Sequence, residues 1–145
     1  MNRPFLTLGL SLIATLALAQ PPAAQQRSAP PANAEAYFIS PHDGEKVHSP
    51  FTVRFGLKGM GVAPAGVKFD NTGHFHLIID TDFSELKLDS PLPATDKMLH
   101  FGKGQTETSL TLTPGKHTLE IVFADYLHYS FDPPLHSKKI TVTVE

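Results

Sequence analysis

The chain has 145 residues with no cysteine and no tryptophan, and its 14 acidic and 12 basic residues give a formal net charge of −2. Lack of thiols excludes both a disulfide framework and a thiolate metal site. With no run of like charge and no basic patch, nothing in the sequence is suited to nucleic acid.

Residues 1–19 read as a secretory signal peptide. Arg3 supplies a positive start, Phe5 to Ala19 is uncharged and largely apolar, and Ala17-Leu18-Ala19 matches a small-x-small cleavage site. The stretch is too short and wrongly flanked for a membrane span, so the mature protein is expected to be periplasmic or secreted, with no span after cleavage. Residues 20–35 are rich in Pro, Ala and Gln without apolar periodicity, which predicts a disordered tether. Residues 36–145 then make one domain of ordinary size, large enough to bury a core without staples.

Within the domain, alternation with period two predicts strands. Ala36 to Ser40 is a short first run. Phe51, Val53, Phe55 and Leu57 alternate with Thr52, Arg54, Gly56 and Lys58. Gly59 to Gly66 reads as a loop of small residues. His74 to Asp80 is a strand, Thr106 to Leu112 a threonine-rich one, and Leu119, Ile121 and Phe123 mark another. Ile140, Val142 and Val144 close the chain. Pro41-His42-Asp43-Gly44 is a turn, Pro114-Gly115 predicts a hairpin, and Pro133-Pro134 should stop the ladder before the last strand. No segment carries a capped 3.6-residue stripe. About seven strands in this length predict an all-β, immunoglobulin-like antiparallel β-sandwich.

The chemistry concentrates at Gly73-His74-Phe75-His76-Leu77-Ile78-Ile79. Pleating sends Phe75, Leu77 and Ile79 to one face, the core face, and His74, His76 and Ile78 to the other. The histidine face is therefore expected to line the surface. Imidazoles two residues apart on a strand face can converge on one ion, although a pair is only half a site. Met98-Leu99-His100 brings a thioether and a third imidazole to one face if extended. Asp125-Tyr126-Leu127-His128 ends a strand with a carboxylate three residues before a fourth imidazole. Imidazole suits copper and zinc, and thioether suits Cu(I). The bland alternatives are Met98 as a gap-filler and Asp125 as a turn cap. His42, His48 and His136 read as surface residues beside turn prolines, and His117 as part of a turn.

Phe55-Gly56-Leu57-Lys58-Gly59-Met60-Gly61-Val62-Ala63-Pro64-Ala65-Gly66, Asn71-Thr72-Gly73-His74, His100-Phe101-Gly102-Lys103-Gly104-Gln105-Thr106-Glu107 and Pro114-Gly115-Lys116-His117-Thr118-Leu119 together resemble an exported bacterial domain-of-unknown-function family, number 4399. The resemblance runs from about Tyr37 to Val144 and implies export and a small β domain, with no established activity. In the family pattern the strand opens Gly-His-His-His and the later turn reads Asp-x-x-His-x-Pro-His-x-Pro-Pro. This chain matches at Gly73, His74, His76, Asp125, His128, Pro133 and Pro134. It has Phe75 and Phe131 where the pattern has histidine, and Ser130 where it has proline. The Phe75 change fits the pleat, since that side chain points away from its two neighbours, whereas the loss at Phe131 is expected to leave a site there with one imidazole fewer.

The expectation is a protein that binds copper or zinc through His74, His76, His100 and His128, with Asp125 ligating or orienting a ring, and that buffers or delivers the ion. The alternative is a metal-free immunoglobulin-like module binding a protein, peptide or glycan. No Gly-x-Ser-x-Gly elbow, phosphate-cradling loop or His-Glu-x-x-His motif occurs, so no enzyme is expected.

Overall fold

The structure, a computed structural model, describes residues 26–145; the expected signal peptide lies outside the described residues. Ten strands and a single 3-10 turn are present, with no α-helix among the described residues. Strands β1 (Glu35–Ser40), β3 (Phe51–Lys58) and β7 (Glu107–Leu110) form a three-stranded sheet in the order β1-β3-β7, antiparallel throughout. The second sheet runs β2 (Lys46–Val47), β10 (Ile140–Val144), β8 (Gly115–Ala124), β5 (Thr72–Ile79), β4 (Gly61–Val62). In it β6 (Met98–His100) also pairs with β5, and β9 (Ser130–His136) also pairs with β8.

The alternating residues do what their period requires. Phe51, Val53 and Phe55 on β3 turn inward while Thr52 and Arg54 stay exposed. They meet Phe75, Leu77 and Ile79 of β5, Leu119, Ile121 and Phe123 of β8, and Val142 and Val144 of β10 in one apolar core shared by both sheets. Ring pairs Phe55–Phe75 at 5.1 Å and Phe75–Phe123 at 5.0 Å stand at its centre.

Several expectations are corrected by tertiary context. Strands number ten rather than about seven, and two pairings, β2 with β10 and β4 with β5, are parallel. The small-residue loop at 59–66 contains β4, whose Gly61 and Val62 lie opposite Thr72 and Gly73. Pro114-Gly115 makes no hairpin, because β7 belongs to the three-stranded sheet and β8 to the other; the turn carries the chain across the core. Pro133 and Pro134 lie inside β9, where the register against β8 jumps between Ser130 and Leu135, so neither has to donate to the ladder. Within the expected tether, Arg27 donates from Nε to Ser130 O at 3.0 Å and also bonds Phe131 O, and Asp132 N donates to Ser28 O at 2.9 Å. Arg27 and Ser28 are thus fixed along the start of β9.

The largest correction concerns β5. Every residue from Gly73 to Ile79 is buried, so the histidine face is interior and not surface. Its cover is the connection between β5 and β6, a stretch the periodicity left unread. Leu92 and Met98 pack with Ile78, Val122 and Ala124 in a second apolar cluster, joined at its edge by Phe83, Leu86 and Leu88. Leu92 N donates to His128 O at 2.8 Å, which ties this cover to the turn after β8.

Candidate metal centre

His74 and His76 are placed by the β5–β8 ladder, opposite Ala124 and Val122, and are fully buried. Gly73, just before them, is required by close packing: a Cβ there would lie 2.2 Å from Ala124 O. His100 lies directly opposite His76 in the β5–β6 pairing, so the extended reading of Met98 to His100 holds. Its ring rests against Gly102, where a Cβ would come within 2.2 Å of Cε1. His128 sits at the end of a turn at φ 70, a left-handed conformation that an ordinary residue adopts only when its surroundings hold it there.

Asp125 builds that turn. Its Oδ1 accepts from Leu127 N and Tyr129 N, both at 2.9 Å, and its carbonyl accepts from His128 N at 3.0 Å. The turn-cap reading of Asp125 is thus what the geometry displays, and it acts on His128 through the backbone.

The four rings converge. Centroid separations are 5.1 Å for His74–His76, 5.0 Å for His74–His100, 4.9 Å for His74–His128, 5.0 Å for His76–His100, 4.9 Å for His100–His128 and 6.1 Å for His76–His128. Ligand nitrogens of His74, His76 and His100 all lie within 4.8 Å of one another, a triad that can hold a metal ion. Nε2 of His74 and Nε2 of His76 are 3.2 Å apart. Burial is unequal: His74 and His76 are enclosed, whereas His100 and His128 are half-buried.

The electrostatics follow from this crowding. Burial, then the charges His128 and His100 would carry, pushes His74 down to about 4. Burial, followed by the other three rings, pushes His76 down to about 3. His100 is lowered too, by burial and then by His128. His74 and His76 are therefore neutral at pH 7, and each neutral ring carries one lone-pair nitrogen that can serve as a ligand. Buried Nδ1 atoms of His74 and His76 and Nε2 of His100 have no protein partner, which is costly for polar atoms in an interior. A donor set of crowded neutral imidazoles fits a transition-metal ion and does not fit Ca²⁺ or Mg²⁺, which take oxygen ligands.

Sequence reasoning left out Leu92 and Gly102. Phe83, Leu86, Leu88 and Leu92 are too many apolar residues for a solvated connection, and that excess was the available signal. Phe75 and Phe131, where the family pattern has histidine, both belong to the core, Phe131 stacked on Phe123 at 6.2 Å. Phe75 points away from the histidines as the pleat requires, and the expectation that Phe131 costs the site an imidazole is corrected, since that side chain also lies in the core. Met98 lies in the second apolar cluster as a filler. His136 is exposed, as its surface reading has it, and is also held in place: its Nδ1 is 2.8 Å from the buried Glu120 carboxylate, and its ring stacks on Phe83 at 4.0 Å.

A family model described as "Domain of unknown function (DUF4399)" matches residues 53–145. Comparison with curated proteins finds no match. Among solved structures, the chain is similar to the endo-beta-1,4-mannanase from Thermotoga petrophila, with 16% identity over 77% of this chain and 20% of that one and a TM-score of 0.45. The chain thus spans about a fifth of that protein's length.

Proposed function

Since the chain belongs to this domain-of-unknown-function family, DUF4399, which brings no activity with it, we propose from the site itself that the protein binds a copper or zinc ion. One observation carries the reading: buried imidazoles from β5, β6 and the turn after β8 meet, with the nitrogens of His74, His76 and His100 within 4.8 Å of one another. His74, His76, His100 and His128 are the ligands in this reading, and Asp125 positions His128. With all four rings on the ion no position is open for a substrate, so the role in this reading is to hold, buffer or deliver the ion. We read the two sheets around one core as an immunoglobulin-like sandwich. The leader-like residues 1–19 support a periplasmic or secreted location, where exchangeable metal must be managed. No helix among the described residues is long and apolar enough to cross a membrane.

A second reading has its own observation. Val67, Phe69 and Leu127 are exposed, and Phe69, at 73%, lines a hollow of about 270 Å³ together with Lys68, Asn71, Asp125 and Tyr126; Val67 and Leu127 are chain neighbours of these lining residues. An exposed apolar rim of that kind suits a protein, peptide or glycan partner.

Calorimetric titration of the metal-stripped protein with Zn(II), Cu(II), and Cu(I) under reductant separates the readings. One equivalent bound at micromolar affinity or better, and lost in the His74→Ala/His76→Ala double variant, supports the metal reading. At a hundredfold excess over Kd, binding should add about 2.7 kcal/mol of stability and raise Tm by about 10 °C. Absence of binding, or binding unchanged in the double variant, leaves the interaction module.

A further inference from the structure

Resting on the metal-binding reading, we infer that the centre is a tetrahedral site of three fixed vertices and one opening vertex, built for a zinc-class cation, with His128 as the vertex that opens. The argument begins with distances. With metal–nitrogen bonds of about 2.05 Å, neighbouring nitrogens of a tetrahedral centre stand about 3.3 Å apart and ring centroids about 5.2 Å. A square plane would set neighbouring nitrogens about 2.9 Å and centroids about 4.5 Å apart, with two diagonals of about 6.4 Å. The Nε2–Nε2 separation of His74 and His76 is 3.2 Å, on the tetrahedral side. Five of the six centroid separations fall between 4.9 and 5.1 Å, and one is 6.1 Å. One long edge describes a tetrahedron stretched along His76–His128; a square plane requires two.

The stretched edge identifies the loose vertex. His74 and His76 ride on the β5–β8 ladder and His100 on the β5–β6 pairing, so their backbones move only if the sheet does. Gly102 backs the His100 ring. His128 hangs from a turn, half-buried, and stands outside the triad whose nitrogens lie within 4.8 Å. What holds that turn is the Asp125 cap and the bond from Leu92 N to His128 O. Moving this ring by about an ångström closes the tetrahedron, and moving it outward leaves a three-histidine base facing solvent.

The donor set chooses the cation. There is no thiolate, because the chain has no cysteine. Met98 is packed into the Ile78–Leu92–Val122 cluster and Met60 against the main core, so both thioethers among the described residues are occupied in apolar packing. The Asp125 Oδ1 already accepts two backbone N–H groups. Four imidazoles at tetrahedral vertices suit a closed-shell divalent ion that has no geometric preference of its own, and they oppose the tetragonal preference of Cu(II).

Co(II), a spectroscopic stand-in for zinc, tests this in the full chain. The wild type should show the intense visible bands of four-coordinate Co(II). His128→Asn, chosen because asparagine tolerates the left-handed backbone, should still bind but with weaker bands of higher coordination; added imidazole should restore the wild-type spectrum. The same variant should release Zn(II) to a chelator at least about tenfold faster than wild type. Weak six-coordinate bands in the wild type overturn the proposal without any variant. A His128→Asn spectrum and release rate identical to wild type overturn the opening vertex while leaving metal binding intact. If the wild type takes up neither Co(II) nor Zn(II) but binds copper, this inference fails and the metal reading stands. If it takes up none of Co(II), Zn(II), Cu(II) and Cu(I), the metal reading itself fails, and this inference with it.

Discussion

On one face of β5, Phe75, Leu77 and Ile79 enter the apolar core; on the other, His74 and His76 are buried just as completely beneath the β5–β6 connection and the His128 turn. The energetics of the two faces have opposite signs. Each apolar side chain contributes about 1.5–3 kcal/mol by leaving water. Each buried ring nitrogen without a partner costs about 1–3 kcal/mol. A strand can therefore be fully interior with one face wholly apolar, while the other, apart from Ile78 in the second apolar cluster, is available for chemistry that the fold must carry at a cost.

The largest expected effect separates these faces directly. Phe75→Ala should lower the stability of the metal-free protein by about 3–5 kcal/mol in urea denaturation. His76→Leu, which replaces a costly buried ring by an apolar side chain of similar bulk, should leave metal-free stability unchanged or raise it, while abolishing stabilisation by Zn(II). If His76→Leu destabilises the metal-free protein as much as Phe75→Ala does, the histidine face is structural and the contrast collapses.

A smaller effect sharpens the contrast without touching a ligand. Gly102→Ala puts a methyl group where the His100 ring rests, so that ring must tilt away from its neighbours. Zn(II) affinity should fall about 10–100-fold, with little change in metal-free stability, because the displaced ring lies at a half-buried edge. Unaltered affinity would remove His100 from the ligand set.

The smallest effects are read in pH. His74 and His76 are lowered to about 4 and about 3 in the folded protein, so the unfolded chain binds more protons between those values and 6.5. Metal-free stability should be fully present above pH 6.5 and decline as pH falls through that window, less steeply in His76→Leu. His117 titrates in the opposite sense. Its Nδ1 is 2.7 Å from Asp80 Oδ2 and its Nε2 is 2.9 Å from Thr113 O, and the Asp80 hydrogen bond raises it. The stability it contributes is fully present below 6.5 and lost as pH rises through its folded value, and Asp80→Asn should flatten that alkaline limb. An acid limb identical in wild type and His76→Leu would mean the buried imidazoles do not govern it.

How much of this was legible depends on range. β3 and β10 were readable because each has one buried and one less buried face, and a period of two records that difference directly. The core trio of β5 was readable for the same reason. Burial of the histidine face was not, because it depends on Leu92 and the residues around it folding back over β5, and a connection without regular structure leaves no period. The parallel pairing of β4 with β5 was hidden as well, since two residues are too few to alternate. Asp125 was ambiguous in sequence because a carboxylate three residues before a histidine serves equally as a ligand or as a turn cap; the two backbone N–H groups at its Oδ1 display the cap.

By itself, the amino-acid sequence determined that this is an all-β chain of the DUF4399 family without thiols, and that any metal chemistry must come from imidazole. Strand periodicity and composition are local properties, and local properties survive in a sequence. Only the tertiary structure decided that His74, His76, His100 and His128 meet, that Phe131 turns away from them, and that His128 alone hangs from a turn. Those facts belong to register between β5, β6 and β8 and to the closure of one connection over a strand face. They are set by contacts between residues as much as 54 positions apart, His74 and His128 among them, for which no local pattern exists.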